Sequence, residues 1–310
     1  MNTQPSSLHE TSPSAPSRER ALVLGGGSSA GNAWLIGVIA GLADSGLDVT
    51  EADLMIGTSA GSTAAAQITS ASPARLYADI LSTPVPQRHA PVATNGSRGF
   101  VGSPDDQLRR MTEIIAASAD VVDMRRRQGA AALAKDVTSD GSEHGRWRST
   151  VAARLPGQDW PEHRIAITAV DAHTGEPVVF DRDSGVDLAD AVAASCAGGF
   201  AYRIGARRYI DGGYRRSSEN ADLAAGYQRV LVLSPLGGRT LLPLDWGMQL
   251  AVQVDELRAG GSSVETVLPD GDSLAAFGGS MMNLASRPAS ARAGFDQGRA
   301  LAARLAGFWR

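Results

Sequence analysis

A five-residue motif, Gly57-Thr58-Ser59-Ala60-Gly61, constrains the fold more than any other feature of this 310-residue chain. It lies between the apolar run Leu54-Met55-Ile56, which is typical of a strand, and residues 62–68, whose small side chains are typical of a helix. Glycines two positions on either side of a serine let the chain turn sharply and let strand and helix approach closely. We therefore expect a strand–turn–helix unit that presents Ser59 as a nucleophile, supported by Gly57 and Gly61.

A second turn, Gly25-Gly26-Gly27-Ser28-Ser29-Ala30-Gly31, follows an apolar run and precedes a helical pattern over residues 32–42. Such a loop leaves unpaired backbone N–H groups at the start of a helix, where an anion can bind. The last glycine comes one place too late for a dinucleotide-binding G-x-G-x-x-G, and the loop lacks the lysine of a P-loop. We therefore expect the N–H groups of Gly26, Gly27 and Ser28 to form an oxyanion hole, supported by Gly25 and Gly31.

A third turn, Asp211-Gly212-Gly213, follows the apolar pair Tyr209-Ile210 and places a carboxylate at the end of a predicted strand. An isolated Asp-Gly is usually a turn at the surface. Together, however, a serine, a carboxylate and a loop of N–H donors supply every role that acyl transfer needs. Asp211 is thus the candidate general base, with Gly212 and Gly213 as supports.

The order and identity of these three motifs resemble the patatin-like phospholipase family. Members of that family use a serine–aspartate dyad with a glycine-rich oxyanion loop on an α/β fold. The resemblance extends over roughly residues 20–300 and includes residues 167–176, 191–197 and 220–224. It implies an ester hydrolase with Ser59 as nucleophile and Asp211 as base.

Two segments of the chain depart from the family pattern. The family loop usually reads G-G-G-x-R/K-G, whereas this chain has Ser28 for a glycine and Ala30 for the basic residue. Ser28 fits if its φ angle is negative, and Ala30 removes a positive charge beside the oxyanion loop. In addition, Gly198–Tyr202 replaces a segment that commonly contains proline. We expect this change to loosen the wall beside Asp211 and to alter the pocket.

The histidines favour a dyad over a triad. An α/β-hydrolase triad runs serine, acid, histidine along the chain, and no histidine follows Asp211 in this sequence. We therefore expect a lipid acyl hydrolase that acts through an acyl-enzyme formed on Ser59. A carboxylesterase for short soluble esters, expected if the pocket is small, and a catalytically weak acyl-binding scaffold remain as alternatives.

Alternating strand and helix patterns predict a three-layer α/β/α fold with a mostly parallel sheet. We expect one patatin-like domain over residues 19–310, with a helical insertion at about 83–161 that caps the active site and is either a lid or surface decoration. The predicted strands are Ala21–Leu24, Asp53–Ile56, Arg164–Val170, Pro177–Phe180, Arg207–Ile210, Arg229–Leu233 and Ser263–Leu268. The predicted helices outside the insertion are Asn32–Ala43, Ala60–Thr69, Pro73–Leu81, Asp187–Ser195, Asp245–Ala259 and Ala289–Leu305.

Charge and composition limit the classes of molecule that the protein is expected to bind. The net charge of −4 argues against nucleic acid, and the sequence contains no Cys/His cluster typical of a metal site. We expect no cofactor and no metal, a lipid or ester substrate, and at most a peripheral contact with membranes. Residues 1–18 are rich in Ser, Pro and Thr and predict a disordered tail without a signal peptide, and hence a cytoplasmic protein.

Overall fold

The computed structural model describes residues 18–83, 104–136 and 142–310. The predicted tail, apart from residue 18, lies outside these ranges. In the described part, eight strands form one sheet: β1 (Arg20–Leu24), β2 (Leu54–Gly57), β3 (Ile165–Asp171), β4 (Pro177–Phe180), β5 (Tyr202–Ile204), β6 (Arg207–Asp211), β7 (Arg229–Leu233) and β8 (Ser263–Val267).

The sheet is parallel at its centre and antiparallel at one side. Strand β1 pairs in parallel with β2 and β7, β2 pairs in parallel with β3, and β7 pairs in parallel with β8. Strand β3 pairs antiparallel with β4 and β6, and β5 pairs antiparallel with β6. The loops that follow the parallel strands therefore share one edge of the sheet, where ligands bind in such folds.

Helices cover both faces of this sheet. Along β1, Leu22 and Leu24 belong to the apolar core on one face, and Ala21 and Val23 belong to the core on the other. This alternation is what a strand buried on both faces requires. The three-layer α/β/α fold is thus confirmed. The helices are α1 (Ser28–Asp44), α2 (Ala60–Ile68), α3 (Pro73–Ser82), α4 (Pro104–Ala116), α5 (Val121–Asp136), α6 (Ser142–Ala152), α7 (Leu188–Ser195), α8 (Leu250–Ala259), α9 (Gly271–Phe277) and α10 (Arg287–Trp309).

Helices α1 and α10 pack closely because glycines line their contact. A Cβ atom added at Gly37 or Gly41 would lie 2.2 or 2.1 Å from a carbonyl oxygen of α10. The same addition at Gly294 or Gly298 would lie 2.5 or 2.3 Å from a carbonyl oxygen of α1. This contact fixes the start of α10 beside the start of α1, which is one wall of the active site.

The insertion predicted at about 83–161 is helical where it is described. That part contains α4, α5 and α6 and no strand. Elsewhere the helix predicted to begin at Asp245 begins at Leu250, because residues 244–246 form a 3₁₀ turn that ends at Gly247 with a φ of 65°. Within the described ranges, every helix is too short or too polar to cross a bilayer.

Candidate active site

Ser59 occupies a strained turn between β2 and α2. Its φ and ψ angles are 52° and −116°, a conformation that residues with a side chain rarely adopt. Its N–H group donates to Ser195 Oγ at 2.9 Å. A Cβ at Gly57 would lie 2.5 Å from the Ser62 Cα, and a Cβ at Gly61 would lie 1.8 Å from the Leu24 carbonyl oxygen. The two glycines are therefore required by close backbone approach.

Asp211 reaches Ser59 because β2 and β6 meet end to end. Ile167 of β3 pairs with both β2 and β4, and Ala169 pairs with both β4 and β6. Two strands that pair with the same residue of β3 must lie on opposite edges of β3. Strands β2 and β6 therefore both lie on the edge of β3 that is opposite β4. Their carboxyl ends face each other there, and the Ser59 side chain lies beside the Asp211 carboxylate, whose pKa it lowers.

The surroundings of Asp211 make it a stronger base than an ordinary carboxylate. Burial raises its pKa to about 6, against an ordinary value of 3.8. A hydrogen bond from the Gly213 N–H group to Oδ1 at 2.8 Å opposes this rise, and so does the neighbouring Ser59 side chain. The carboxylate is therefore ionised above about pH 6 and held towards the serine.

A buried amide ties the serine turn to the aspartate turn. Asn220 Nδ2 lies 3.0 Å from Thr58 Oγ1, 3.3 Å from Thr168 Oγ1 and 2.9 Å from the Gly212 carbonyl oxygen. Thr58 and Thr168 are hydrogen-bonded to each other at 2.9 Å. Asn220 is fully buried and has a φ of 53°, a left-handed conformation that asparagine tolerates. This network links the backbone that precedes Ser59 to the backbone that follows Asp211.

The glycine loop offers two N–H donors rather than the three predicted. Gly26 N–H donates to the Ser218 carbonyl at 2.8 Å and is not available for an oxyanion, so this prediction needs correction. In the described part of the chain, the N–H groups of Gly27 and Ser28 have no acceptor. We expected Ser28 to fit the loop if its φ were negative, but its φ is 54°. This serine therefore stores backbone strain.

A positive charge reaches the loop from a distant helix. Arg287, at the start of α10, donates through Nη1 to the Ser29 carbonyl at 3.0 Å and to Asn32 Oδ1 at 3.1 Å. Burial, together with nearby Arg154, lowers the pKa of its guanidinium. This arginine lies beside the loop in which Ala30 leaves no basic side chain.

The wall beside Asp211 is braced by the helical insertion. Lys135 Nζ of α5 donates to the Gly199 carbonyl at 2.7 Å, and Tyr214 Oη donates to the Gly198 carbonyl at 3.4 Å. A Cβ at Gly198 would lie 3.3 Å from Gln107 Nε2 of α4 and 3.6 Å from Asp211 Oδ2. These contacts hold the segment that was expected to be loosened by the missing proline.

Ser59 and Asp211 open into a cavity of about 1040 Å³. Its lining is mainly apolar and includes five buried side chains from the body of the fold and from the insertion: Ile36, Leu76, Ile80, Ile115 and Met124. Cys196 also lines it, and burial raises the pKa of this thiol to about 11, so the thiol is neutral. Among the described residues, no group of His, Cys, Asp and Glu side chains could hold a metal ion.

Comparison with known proteins identifies the family of the chain. The model of the patatin-like phospholipase family matches residues 22–225, which include all three motifs. The chain belongs to the patatin-like phospholipase family. Among solved structures, it is similar to VipD from Legionella pneumophila, with 13% identity and a TM-score of 0.41, covering 94% of this chain and 67% of VipD. No curated protein matches the sequence.

Sequence reasoning did not assign roles to four residues that the structure places around Ser59 and Asp211. Thr168, Ser195, Asn220 and Arg287 all contact the serine turn, the aspartate turn or the glycine loop. Each of these residues lies outside the short motif that it contacts, so no local sequence pattern connects the two. Asn220, for example, lies 162 positions from Thr58.

Proposed function

We propose that this member of the patatin-like phospholipase family hydrolyses the esters of long-chain lipids, with Ser59 as nucleophile and Asp211 as general base. The observation that carries the proposal is the place of Ser59 beside a half-buried carboxylate with a raised pKa, at the head of a large apolar cavity. A nucleophile, a matched base and an apolar pocket together are what ester hydrolysis of a lipid requires.

In the first half of the reaction, Asp211 accepts the hydroxyl proton as Ser59 Oγ attacks the ester carbonyl. The tetrahedral oxyanion then receives hydrogen bonds from the N–H groups of Gly27 and Ser28. Collapse breaks the ester bond, and the proton held by Asp211 passes to the leaving alkoxide. The products are an alcohol and an acyl group bound to Ser59.

In the second half, Asp211 accepts a proton from a water molecule that attacks the acyl-enzyme. A second tetrahedral oxyanion forms at the same two N–H groups. Its collapse returns the proton to Ser59 Oγ and releases the carboxylic acid. The strained backbone at Ser59 keeps its side chain clear of its neighbours in both halves.

The size and lining of the cavity favour long acyl chains over short soluble esters. A cavity of about 1040 Å³ lies at the upper end of ordinary ligand pockets. Leu76, Ile80 and Ile115 line this cavity and offer apolar contacts to an acyl chain. The carboxylesterase alternative depends on a small pocket and is not supported by this volume.

A fluorophosphonate probe tests the nucleophile directly. We expect covalent labelling of the wild-type protein and of Ser149→Ala, a matched change of an exposed serine on α6, and no labelling of Ser59→Ala. We expect Asp211→Asn to be labelled at least about 100-fold more slowly. Full labelling of Ser59→Ala would rule out Ser59, and a folded wild-type protein that resists the probe would favour the acyl-binding scaffold.

The preferred chain length is tested by esters of one alcohol with acyl groups of increasing length. The proposal predicts that kcat/KM rises with chain length, because each further buried methylene contributes about 0.8 kcal/mol. A maximum at acetyl or butyryl esters would support the carboxylesterase alternative.

A further inference from the structure

Two loops at the mouth of the cavity carry exposed apolar side chains. The first, residues 234–249, follows β7 and includes Leu241 and Leu244, which are 52% and 68% exposed. The second, residues 278–286, precedes α10 and includes Met282 and Leu284, which are 45% and 48% exposed. Large apolar side chains exposed together in this way mark an interaction surface. We call these two loops the rim.

Both parts of the rim are anchored to the glycine loop. Pro235, at the start of the first part, lies so close that a Cβ at Gly27 would be 2.5 Å from its Cβ. In the second part, the Met281 carbonyl accepts a hydrogen bond from the Ala30 N–H group at 2.9 Å. The exposed side chains therefore flank the entrance to the active site, and Leu241, Met282 and Leu284 line the cavity itself.

The lining of the cavity carries more positive than negative side chains, although the chain as a whole carries a net charge of −4. Among the described residues, Arg154 and Arg239 line the cavity with exposed side chains that have no ion-pair partner, whereas Arg287 is bound to Ser29 and Asn32. Of the carboxylates in the lining, Asp79 is paired with Arg75 at 3.8 Å, and Asp211 belongs to the dyad. Exposed apolar side chains with unpaired arginines fit a surface that is apolar inside and anionic outside.

We infer that the rim docks the enzyme on an anionic lipid bilayer, with Leu241, Leu244, Met282 and Leu284 inserted among the acyl chains. The exposed Arg154 and Arg239 then face the anionic head groups. Trp246, half-buried in the same turn as Leu244, has the amphipathic ring that is enriched at membrane interfaces. The inference rests on the proposed function, since docking in this orientation delivers a lipid ester to Ser59.

Vesicle binding tests this inference without turnover if every variant also carries Ser59→Ala. Binding is measured by co-sedimentation with vesicles of phosphatidylcholine alone and of phosphatidylcholine with phosphatidylglycerol. We expect binding to the anionic vesicles, weakened about tenfold or more by Leu244→Asp and again by Leu241→Asp. Leu274→Asp is the matched control, since Leu274 is 49% exposed on α9 and does not line the cavity. It should bind like the parent protein.

Three results would overturn the inference: no binding to either kind of vesicle, equal loss of binding in Leu244→Asp and Leu274→Asp, or equal binding to neutral and anionic vesicles. Self-association that Leu244→Asp abolishes, without vesicle binding, would assign the rim to a second copy of the chain instead.

Hydrolysis of a monomeric ester in solution separates this inference from the proposed function. With Ser59 intact, Leu244→Asp should keep the wild-type rate on that ester, because Leu244 does not line the cavity, and should lose activity on anionic vesicles. Vesicle binding without hydrolysis of any ester would contradict the proposed function and leave the docking surface standing.

Discussion

The Asn220 amide nitrogen lies 3.0 Å from Thr58 Oγ1, and the same nitrogen lies 2.9 Å from the Gly212 carbonyl oxygen. Thr58 precedes the candidate nucleophile and Gly212 follows the candidate base. One side chain thus couples the positions of the two reacting groups, although it touches neither of them. We therefore expect Asn220 to act as a positioning residue, and its removal should act on the distance between Ser59 and Asp211.

The variant that isolates this role is Asn220→Gly, because glycine keeps the left-handed backbone conformation and removes only the amide. We expect kcat to fall about 10- to 100-fold with little change in KM, since small misplacements of reacting groups have effects of this size. The rate of fluorophosphonate labelling should fall in parallel. Circular dichroism checks that the protein is folded, and an unchanged kcat in a folded variant would contradict the role.

The raised pKa of Asp211 predicts the pH dependence of the reaction. Asp211 accepts a proton only when ionised, and its pKa is about 6. We therefore expect kcat/KM to be constant above about pH 7 and to fall about tenfold for each pH unit well below 6. The measurement is kcat/KM on a monomeric ester from about pH 4 to about pH 9. A profile that stays flat down to about pH 5 would mean that the base has an ordinary carboxylate pKa.

The free energy of unfolding should also depend on the ionisation of Asp211, but in the opposite direction: activity rises with pH, whereas stability falls. The folded protein binds a proton at Asp211 more tightly than the unfolded chain does, with pKa values of about 6 and 3.8. The contribution of Asp211 to the free energy of unfolding is therefore greatest below pH 3.8 and is lost as the pH rises through 6. Since one pKa unit is about 1.4 kcal/mol, the loss is about 2–3 kcal/mol.

Asp211→Asn removes this ionisation and should be more stable than the wild type at about pH 8, with the difference vanishing near pH 4. Urea denaturation of both proteins at the two pH values measures it. If the two proteins differed in free energy of unfolding by the same amount at both pH values, the ionisation of Asp211 would not be the cause of the difference.

The three motifs could be located from the sequence because each depends on a few neighbouring residues. A serine between two glycines, a glycine run before a helix, and Asp-Gly-Gly after an apolar pair are local signals. Strands β4 and β7 also begin and end where they were predicted, since their apolar runs are bounded by polar or turn-forming residues. Features that depend only on neighbouring residues can therefore be predicted from the sequence.

Contacts between distant parts of the chain were not readable in this way. Arg287 reaches Asn32 from 255 positions away, and only the packing of α10 on α1 brings the two together. Strand β5 was missed because three residues carry too little alternation to be recognised. The engagement of Gly26 with the Ser218 carbonyl likewise depends on a segment that the glycine loop meets only in the folded protein.

The packing of α10 on α1 makes opposite predictions for two glycines of the same helix. A Cβ at Gly298 would lie 2.3 Å from the Val38 carbonyl oxygen, whereas a Cβ at Gly307 would meet no atom within 4 Å. Gly298→Ala should therefore force the helices apart and lower the free energy of unfolding by about 1–3 kcal/mol. Gly307→Ala should raise it by about 0.5–1 kcal/mol, because alanine loses less conformational freedom in a helix. Urea denaturation measures both changes, and equal stability of the two variants would contradict the close helix contact.

Because α10 also carries Arg287, Gly298→Ala should slow ester hydrolysis as well.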